Sequence, residues 1–496
     1  MITAFRLLFD KYLPKESLRA RFVAGSFWVV VGTGVQQLFG LIGTVVVARY
    51  LGTAGFGQLS VIQNTIGMFG MFAGLGLSLT ATKHVAEYRK TDPEKANNII
   101  GLTWLVALIF GVAMTIVVFG SAGIISKVIL KAPELVVPFK VASIMLLFSI
   151  LMGAQRGVLS GLEAFRTVAI TAFLQGVIQV VLTIIGTKLY QLQGAVWSYT
   201  ISYALGWAIS AIFVRIEIVK AKLKIQFNNI RQELPVLWKF SLPALMSSSI
   251  FSPILWAANA IIVNMPNGFS EVGIYNAAAR FQQMVSFVGL IFSSSLLPIL
   301  SSKEGRESQT LQRGNIAISW VAGFYPAMFL ICIPEIFGIF GKGFSGDYSN
   351  KILILVMIAT TISNYYQGLA RVLVARGMLW WSLLNSVIWA VVLILPVYLF
   401  REYGAMALAF STVAAYAVSA IIFMPLFINE QIVPQNTIFS RAALLIWLIL
   451  FCAAALYPFN VNFAIRCIYF LVSISASIWL FHKILYPKES VLKSTN

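Results

Sequence analysis

The chain is a series of long apolar runs separated by short polar connections. Runs of about 20 apolar residues are long enough to cross a ~30 Å hydrocarbon core as α-helices. The sequence therefore predicts an all-α polytopic membrane protein without an extramembrane domain. The fourteen predicted transmembrane helices are 22–48, 57–81, 98–120, 139–160, 167–187, 194–214, 239–262, 272–300, 314–340, 351–374, 378–400, 404–428, 441–458 and 462–484.

The predicted spans group into two bundles of six and a final pair. Residues 1–214 hold spans one to six, and residues 239–428 hold spans seven to twelve. Residues 215–238 would connect the bundles on the cytoplasmic side, and residues 429–496 hold two extra spans and a tail. The connection mixes basic with aliphatic residues. That pattern suits a surface helix lying on anionic lipid, and equally a simple tether between the bundles.

A weak internal repeat supports the division into two bundles. Six spans is an even number, so both bundles would enter the membrane in the same sense, as parallel repeats with a site between them. Equivalent turns of the two repeats should then approach each other at the outer mouth when the carrier faces inward. The matched pairs are Arg166 with Arg376, Gln175 with Asn385, Gly194 with Gly404, Ala195 with Ala405, and Gly57 with Gly273.

The distribution of charge adds one prediction, the orientation of the chain in the membrane. With 59% hydrophobic and 11% charged residues, the net charge of +19 does not indicate a nucleic-acid partner. Of the 36 Lys and Arg residues, 26 lie at the termini and even-numbered connections and nine at the odd-numbered ones. Basic residues collect on the cytoplasmic side, so both termini are predicted to be cytoplasmic. The basic N-terminus precedes no cleavage-site pattern, which favours an uncleaved first span over a signal peptide.

One arginine lies deep inside a predicted span. Arg280 is the only full charge between Glu271 and Lys303, roughly 12 Å along the span that starts at 272. Its insertion costs on the order of 2.5–3.5 kcal/mol, so the side chain should face a partner or a wet cavity. Asn276 and Gln283 share its helical face. The arginine could bind an anionic substrate, or it could bond the carbonyls of a neighbouring helix.

Polar stripes on three other spans extend this set. Residues spaced three, four or seven apart share one helical face, and such stripes either line a cavity or hold helices together in lipid. Taken with Arg280, the three stripes favour a water-filled cavity. The candidate substrate-binding residues are Arg280, Asn276, Gln283, Gln37, Asn259, Asn364, Gln367 and Arg371.

Acidic residues are almost absent from the predicted spans. Of the 17 Asp and Glu residues, only Glu335 is placed inside one. An exporter of cationic drugs needs a buried carboxylate, so the predicted cargo is anionic. The three cysteines lack a metal-binding or disulfide spacing. No catalytic set, metal site or cofactor motif is visible, and the chain is not predicted to be an enzyme.

The first connection carries a family motif. Residues Val47-Ala48-Arg49-Tyr50-Leu51-Gly52-Thr53-Ala54-Gly55-Phe56-Gly57 resemble the A-R-x-L-G-x-x-x-F-G turn of the polysaccharide transporter family, which includes O-antigen and capsule flippases. Val158-Leu159-Ser160-Gly161-Leu162 and the layout of fourteen spans in two halves also resemble that family. The family belongs to the superfamily of multidrug and oligosaccharidyl-lipid exporters.

The resemblance implies a specific function. A member of this family flips an undecaprenyl-pyrophosphate-linked oligosaccharide from the cytoplasmic to the outer leaflet by alternating access. Its partners would be the lipid-linked substrate, membrane lipids, a polysaccharide polymerase and a chain-length regulator, in the inner membrane. Two alternatives stay open: a multidrug or small-metabolite exporter of the same fold, and a non-transporting scaffold of an envelope assembly complex.

Overall fold

The computed structural model describes residues 18–74, 76–227, 233, 250–301, 308–376, 378–430, 437 and 439–486. Predictions for the N-terminal 17 residues, for most of 228–249 and for the last ten residues lie outside this part. The described residues are almost entirely helical, which confirms the predicted fold class. The chain divides into two compact units: unit 1 is Met1–Tyr50 with Ile62–Ser252, and unit 2 is Leu51–Val61 with Pro253–Asn496.

The helices up to Lys220 give unit 1 its framework. A cluster of small and branched side chains from α2, α3, α4 and the end of α5 forms its core, around Val85, Ile100 and Leu159. Short π and 3-10 turns at Ile125–Ile129 and Pro133–Leu135 link α3 to α4. The helices are α1 Leu18–Gly74, α2 Leu77–Thr91, α3 Pro93–Ile124, α4 Val136–Gly161 and α5 Phe165–Lys220.

Unit 2 holds the remaining eight described helices. Short 3-10 segments at Pro334–Phe340 and Lys342–Phe344 connect α8 to α9, and another at Arg401–Tyr403 precedes α11. The helices are α6 Phe251–Val263, α7 Gly268–Ser301, α8 Gln309–Cys332, α9 Asp347–Ala375, α10 Leu379–Leu399, α11 Ala405–Asn429, α12 Arg441–Leu456 and α13 Phe463–Leu485.

Two helices are too long for a single membrane crossing, and each contains a break at which the chain turns. The α1 helix breaks at Gly52 (φ 67°, ψ −175°), a conformation that a residue without a Cβ adopts at little cost. The α5 helix breaks at Tyr190 and Gln191. Each predicted pair of spans in these regions therefore appears as one helix with a sharp turn inside it.

The breaks also bear on the internal repeat. Gln191 in unit 1 (φ 50°, ψ −132°) and Gly404 in unit 2 (φ 58°, ψ −127°) have nearly the same backbone conformation, and each precedes a helix. Gly52 and Asn267 also both have positive φ and precede helical segments, and both belong to unit 2. The arrangement of the two bundles as parallel repeats stays a prediction.

Nine helical stretches of the described residues are long and apolar enough to cross a membrane, judged by length and composition. Two of them, Val30–Thr91 and Phe165–Lys220, contain internal breaks, and α7 is not among the nine. A membrane crossing by α7 and the total of fourteen spans stay predictions. The sequence-based domain boundaries at 214, 238 and 428 also stay predictions.

One local expectation was wrong. The ninth predicted span reaches residue 340, whereas α8 ends at Cys332 and a 3-10 segment begins at Pro334, because proline cannot continue the α-helical hydrogen bonding.

The connection from 215 is described only in part. Residues 215–220 complete α5, and residues 223–227 are not helical. The Lys224 N–H donates to Asn97 Oδ1 at 2.7 Å, which holds this irregular piece beside α3. The choice between a surface helix and a tether for the rest of the connection stays open, because most of 228–238 lies outside the described residues.

Candidate functional site

Unit 2 carries seven of the eight candidate residues. Asn259 lies on α6, three candidates lie on α7, and three lie on α9, whereas Gln37 is half-buried on α1 in unit 1. The seven separate into two neighbouring groups within unit 2. The α6–α7 group is Asn259, Asn276, Arg280 and Gln283, and the α7–α8–α9 group contains Asn364, Gln367 and Arg371.

An amide pair joins α6 to α7. The side-chain Nδ2 of Asn276 donates to Asn259 Oδ1 at 2.9 Å and to the Val272 carbonyl at 2.9 Å. Asn259 in turn donates to the Leu255 carbonyl at 2.7 Å and is buried. A buried amide costs free energy unless it is hydrogen-bonded. The single bond between the two side chains gives the Asn276 donor an acceptor and the Asn259 oxygen a donor. The pair fixes the start of the polar face of α7.

Arg280 follows one turn further along α7. It lies about 18 Å along the helix axis from Gly268 and is half-buried. Its Nη1 donates to Gln283 Oε1 at 3.2 Å, so the two predicted neighbours do share a face. A guanidinium has five N–H donors in a planar fork, a geometry that matches the oxygens of a phosphate group.

Asn364 lies deep at the junction of α7, α8 and α9. It is fully buried, and its Nδ2 donates to Ser286 Oγ at 3.2 Å and to the Thr360 carbonyl at 2.9 Å. A Cβ added at Gly323 would come within 2.6 Å of the Asn364 Cβ, so the glycine makes room for this side chain. Asn364 therefore packs between helices, and its Oδ1 is buried without a hydrogen-bond partner among the described residues.

Arg371 is also committed to neighbouring helices. It is 6% exposed, its Nη1 donates to Asn315 Oδ1 at 2.7 Å, and its Nη2 contacts Ser319 Oγ. Asn315 in turn donates to the carbonyl of Gly368 at 2.6 Å. The guanidinium thus ties α8 to α9, the arrangement expected for a polar group that holds helices together in lipid.

The sequence reasoning missed the partners of these residues on α8. Asn315 and Ser319 are buried and lie four residues apart, which places them on one face of the helix. That spacing was a visible signal, but no charge accompanied it. Gln367, by contrast, is half-buried on α9.

Glu335 has a structural partner. Its carboxylate pairs with the buried Arg466 of α13, which also donates to the Cys332 carbonyl at 3.1 Å. The Glu335 side chain is 44% exposed and belongs to the 3-10 segment after α8, so it does not lie inside a helical span. The ion pair fixes the C-terminal helix against α8. The charged residues among the eight candidates are Arg280 and Arg371, so the candidate site is cationic.

The fold defines the class of protein. A solved structure of similar fold is that of a multidrug resistance MATE family transporter of the MOP superfamily in an inward-facing conformation. Its TM-score is 0.65 at 17% identity, over 82% of this chain and 98% of that one. The protein therefore has the fold of these transporters, and at this identity the likeness concerns the fold alone.

The family follows from the sequence. Residues 22–303 match the family described as "Polysaccharide biosynthesis protein", and the chain belongs to it. Stage V sporulation protein B of Bacillus subtilis is 21% identical over 75% of this chain and 76% of its own length. Lipid III flippase of Escherichia coli is 25% identical over 56% of this chain and 66% of its own. The resemblance carried by the Val47–Gly57 motif is thereby confirmed.

Proposed function

We propose that this protein is a flippase that moves an undecaprenyl-pyrophosphate-linked oligosaccharide across the cytoplasmic membrane for surface polysaccharide synthesis. The observation that carries the proposal is the family match over residues 22–303, together with a relative that is itself named a lipid III flippase. The transporter fold supports the same conclusion. The polysaccharide would be an O-antigen, a capsule or an exopolysaccharide.

The chemistry of α7 agrees with an anionic cargo. A pyrophosphate brings two or more negative charges, and one arginine at 4 Å contributes about 4 kcal/mol at an effective dielectric constant of 20. Asn276 and Gln283 flank Arg280 with amide groups that can donate to and accept from sugar hydroxyls. Arg280 is half-buried, whereas Arg371 is buried among protein acceptors, so Arg280 is the better candidate for substrate contact.

The transport cycle we propose is alternating access between the two repeats. Both termini would be cytoplasmic, as the distribution of basic residues indicates. The site would open to the cytoplasmic leaflet to admit the lipid-linked sugar and then to the outer leaflet to release it. A polysaccharide polymerase and a chain-length regulator would use the product on the outer side. No step requires covalent chemistry, in keeping with a transporter rather than an enzyme.

The test is transport by the purified full chain in vesicles. A fluorescent undecaprenyl-pyrophosphate oligosaccharide is loaded on one leaflet, and its appearance on the other is followed with a membrane-impermeant quencher. Protein-dependent exchange is expected for this lipid, and none for a cationic dye or for a sugar phosphate without lipid. Export of the dye instead would favour a multidrug exporter of the same fold. Exchange of neither would favour a non-transporting scaffold.

A further inference from the structure

Unit 1 contains an apolar groove whose rim is cationic. The groove, of about 520 Å³, lies between α3 and the end of α5. Its apolar lining includes Trp104, Ile212, Val219 and Ile225, and its two charged lining residues are Arg215 and Lys224. The Ile212 and Val219 side chains are 62% and 68% exposed, so the groove is open along one side.

The wall of the groove is built by specific contacts. Asn97 accepts from the Lys224 N–H at 2.7 Å, and its carbonyl accepts from the Gln226 N–H at 3.5 Å. A Cβ at Gly101 would overlap the Gln226 carbonyl, so this glycine lets the extended piece lie directly on α3. The groove is therefore a defined feature of the fold, held in place by Asn97 and Gly101.

A buried donor in the lining lacks an acceptor. The indole Nε1–H of Trp104 is buried and has no hydrogen-bond partner among the described residues. The atom is not accessible from the open groove, so the lining itself offers an apolar trough with two cations at its rim.

We infer that this groove binds one anionic phospholipid, with an acyl chain along the apolar lining and the phosphate between Arg215 and Lys224. An acyl chain matches the trough, and a phosphate matches the two cations. Lys220 and Lys222 follow immediately in the chain and add to the positive field, although Lys220 also pairs with Glu217 at 2.9 Å. Basic clusters beside a span attract anionic lipids in this way.

The test is native mass spectrometry of the full chain in detergent. The protein is mixed with phosphatidylglycerol or with phosphatidylcholine of the same acyl chains, and the lipid retained per protein is measured. Each cation near a headgroup should favour the anionic lipid by about fivefold, so the preference of the native chain should be roughly 25-fold. Retention of both lipids alike, or of neither, would overturn the inference.

Variants of the two cations at the rim test whether the preference for the anionic phospholipid arises in the groove. The double variant Arg215→Gln with Lys224→Gln should bring the preference close to one. The exchange Arg215→Lys with Lys224→Arg should keep it, which separates loss of charge from loss of folding. Lys188→Gln is the matched control, because Lys188 is an exposed cation of α5 beside the break at Tyr190 and does not line the groove. An unchanged preference in the double variant, or an equal loss in the control, would contradict a site in this groove.

Discussion

Gly57 and Gly273 lie backbone to backbone in unit 2. A Cβ built on Gly57 would be 3.1 Å from the Gly273 amide nitrogen and would overlap the Phe269 carbonyl. A Cβ on Gly273 would be 3.1 Å from the Gly57 nitrogen and would overlap the Thr53 carbonyl. The proximity of the two turns, which the internal repeat predicted, is confirmed. Its connection with the transport cycle stays a prediction.

Alanine at either glycine should therefore disturb this contact. The backbones must separate to admit a methyl group, at a cost of about 1–3 kcal/mol. We expect Gly57→Ala and Gly273→Ala each to lower the melting temperature of the purified protein and the rate of vesicle transport. Gly67→Ala is the control, because Gly67 lies on the same helix with nothing within 4 Å of a Cβ. Wild-type behaviour of both variants would mean that the close contact is dispensable.

The same contact should respond to a covalent link. Leu59 and Tyr275 are buried and follow Gly57 and Gly273 by two residues each. One cysteine near Leu59 and one near Tyr275, placed on the faces that meet at Gly57 and Gly273, should cross-link and stop export in a background without Cys332, Cys452 and Cys467. Reduction of the link should restore it. Full export by the cross-linked protein would show that the two turns do not need to separate during transport.

Arg371 should prove structural. Its removal leaves the buried acceptors of Asn315 and Ser319 unsatisfied, which should destabilise the protein by about 1–3 kcal/mol. We expect Arg371→Gln to lower both the yield and the melting temperature, and the effect of Asn315→Ala to be smaller in that background than alone. Arg376→Gln, directly after the end of α9, is the control. A stable Arg371→Gln protein that fails to transport would place Arg371 in the substrate path.

The contrast between the two arginines shows how far the sequence could predict this site. The apolar runs predicted the helices well, because membrane length and helical rise allow little else. The helical spacing of Asn276, Arg280 and Gln283 correctly placed them on one face. The structure shows that α7 and α8 cover Asn364 and Arg371, and the role of their stripe as a cavity face stays a prediction.

The difficulty is physical. A polar stripe on a membrane helix can face water or another helix, and both places satisfy its hydrogen bonds. Only the neighbours decide, and those lie far away in sequence: Asn315 is 56 residues from Arg371. The end of α8 was missed for a simpler reason, since Pro334 was a visible signal within an apolar run. The breaks at Gly52 and Gln191, by contrast, lie in the predicted connections 49–56 and 188–193, where the apolar runs are interrupted.

The predicted orientation can be tested with phosphatase fusions, which are active only on the outer side. Fusions after Gly268, at the start of α7, and after Ser345, before α9, should be active. A fusion after Arg306, between α7 and α8, should be inactive, because basic residues collect on the cytoplasmic side. Equal protein levels of the three fusions are the control. Activity at Arg306 would reverse the orientation of α7 and remove the support for parallel repeats.

Arg280 is the residue on which substrate recognition should depend. If its guanidinium holds a pyrophosphate, charge should matter most and the planar fork next, since lysine keeps the charge without the bidentate geometry. Arg280→Lys should keep part of the transport rate. Arg280→Gln and Arg280→Ala should lose at most roughly a thousandfold, the equivalent of one ion pair of about 4 kcal/mol, and should abolish surface polysaccharide.

The readouts separate binding from folding. Surface polysaccharide, vesicle transport and the amount of folded protein are measured together for each Arg280 variant. Arg401→Gln is the matched control: Arg401 belongs to the same unit, in a 3-10 segment, with its guanidinium 4.7 Å from the centre of the Tyr398 ring. Loss of transport together with loss of folded protein would mean that Arg280 ties helices together, as Arg371 does. A well-folded and fully active Arg280→Gln protein would remove Arg280 from the site, and the cationic-site argument would then rest on the buried Arg371 alone, whose Nη1 and Nη2 already contact Asn315 and Ser319.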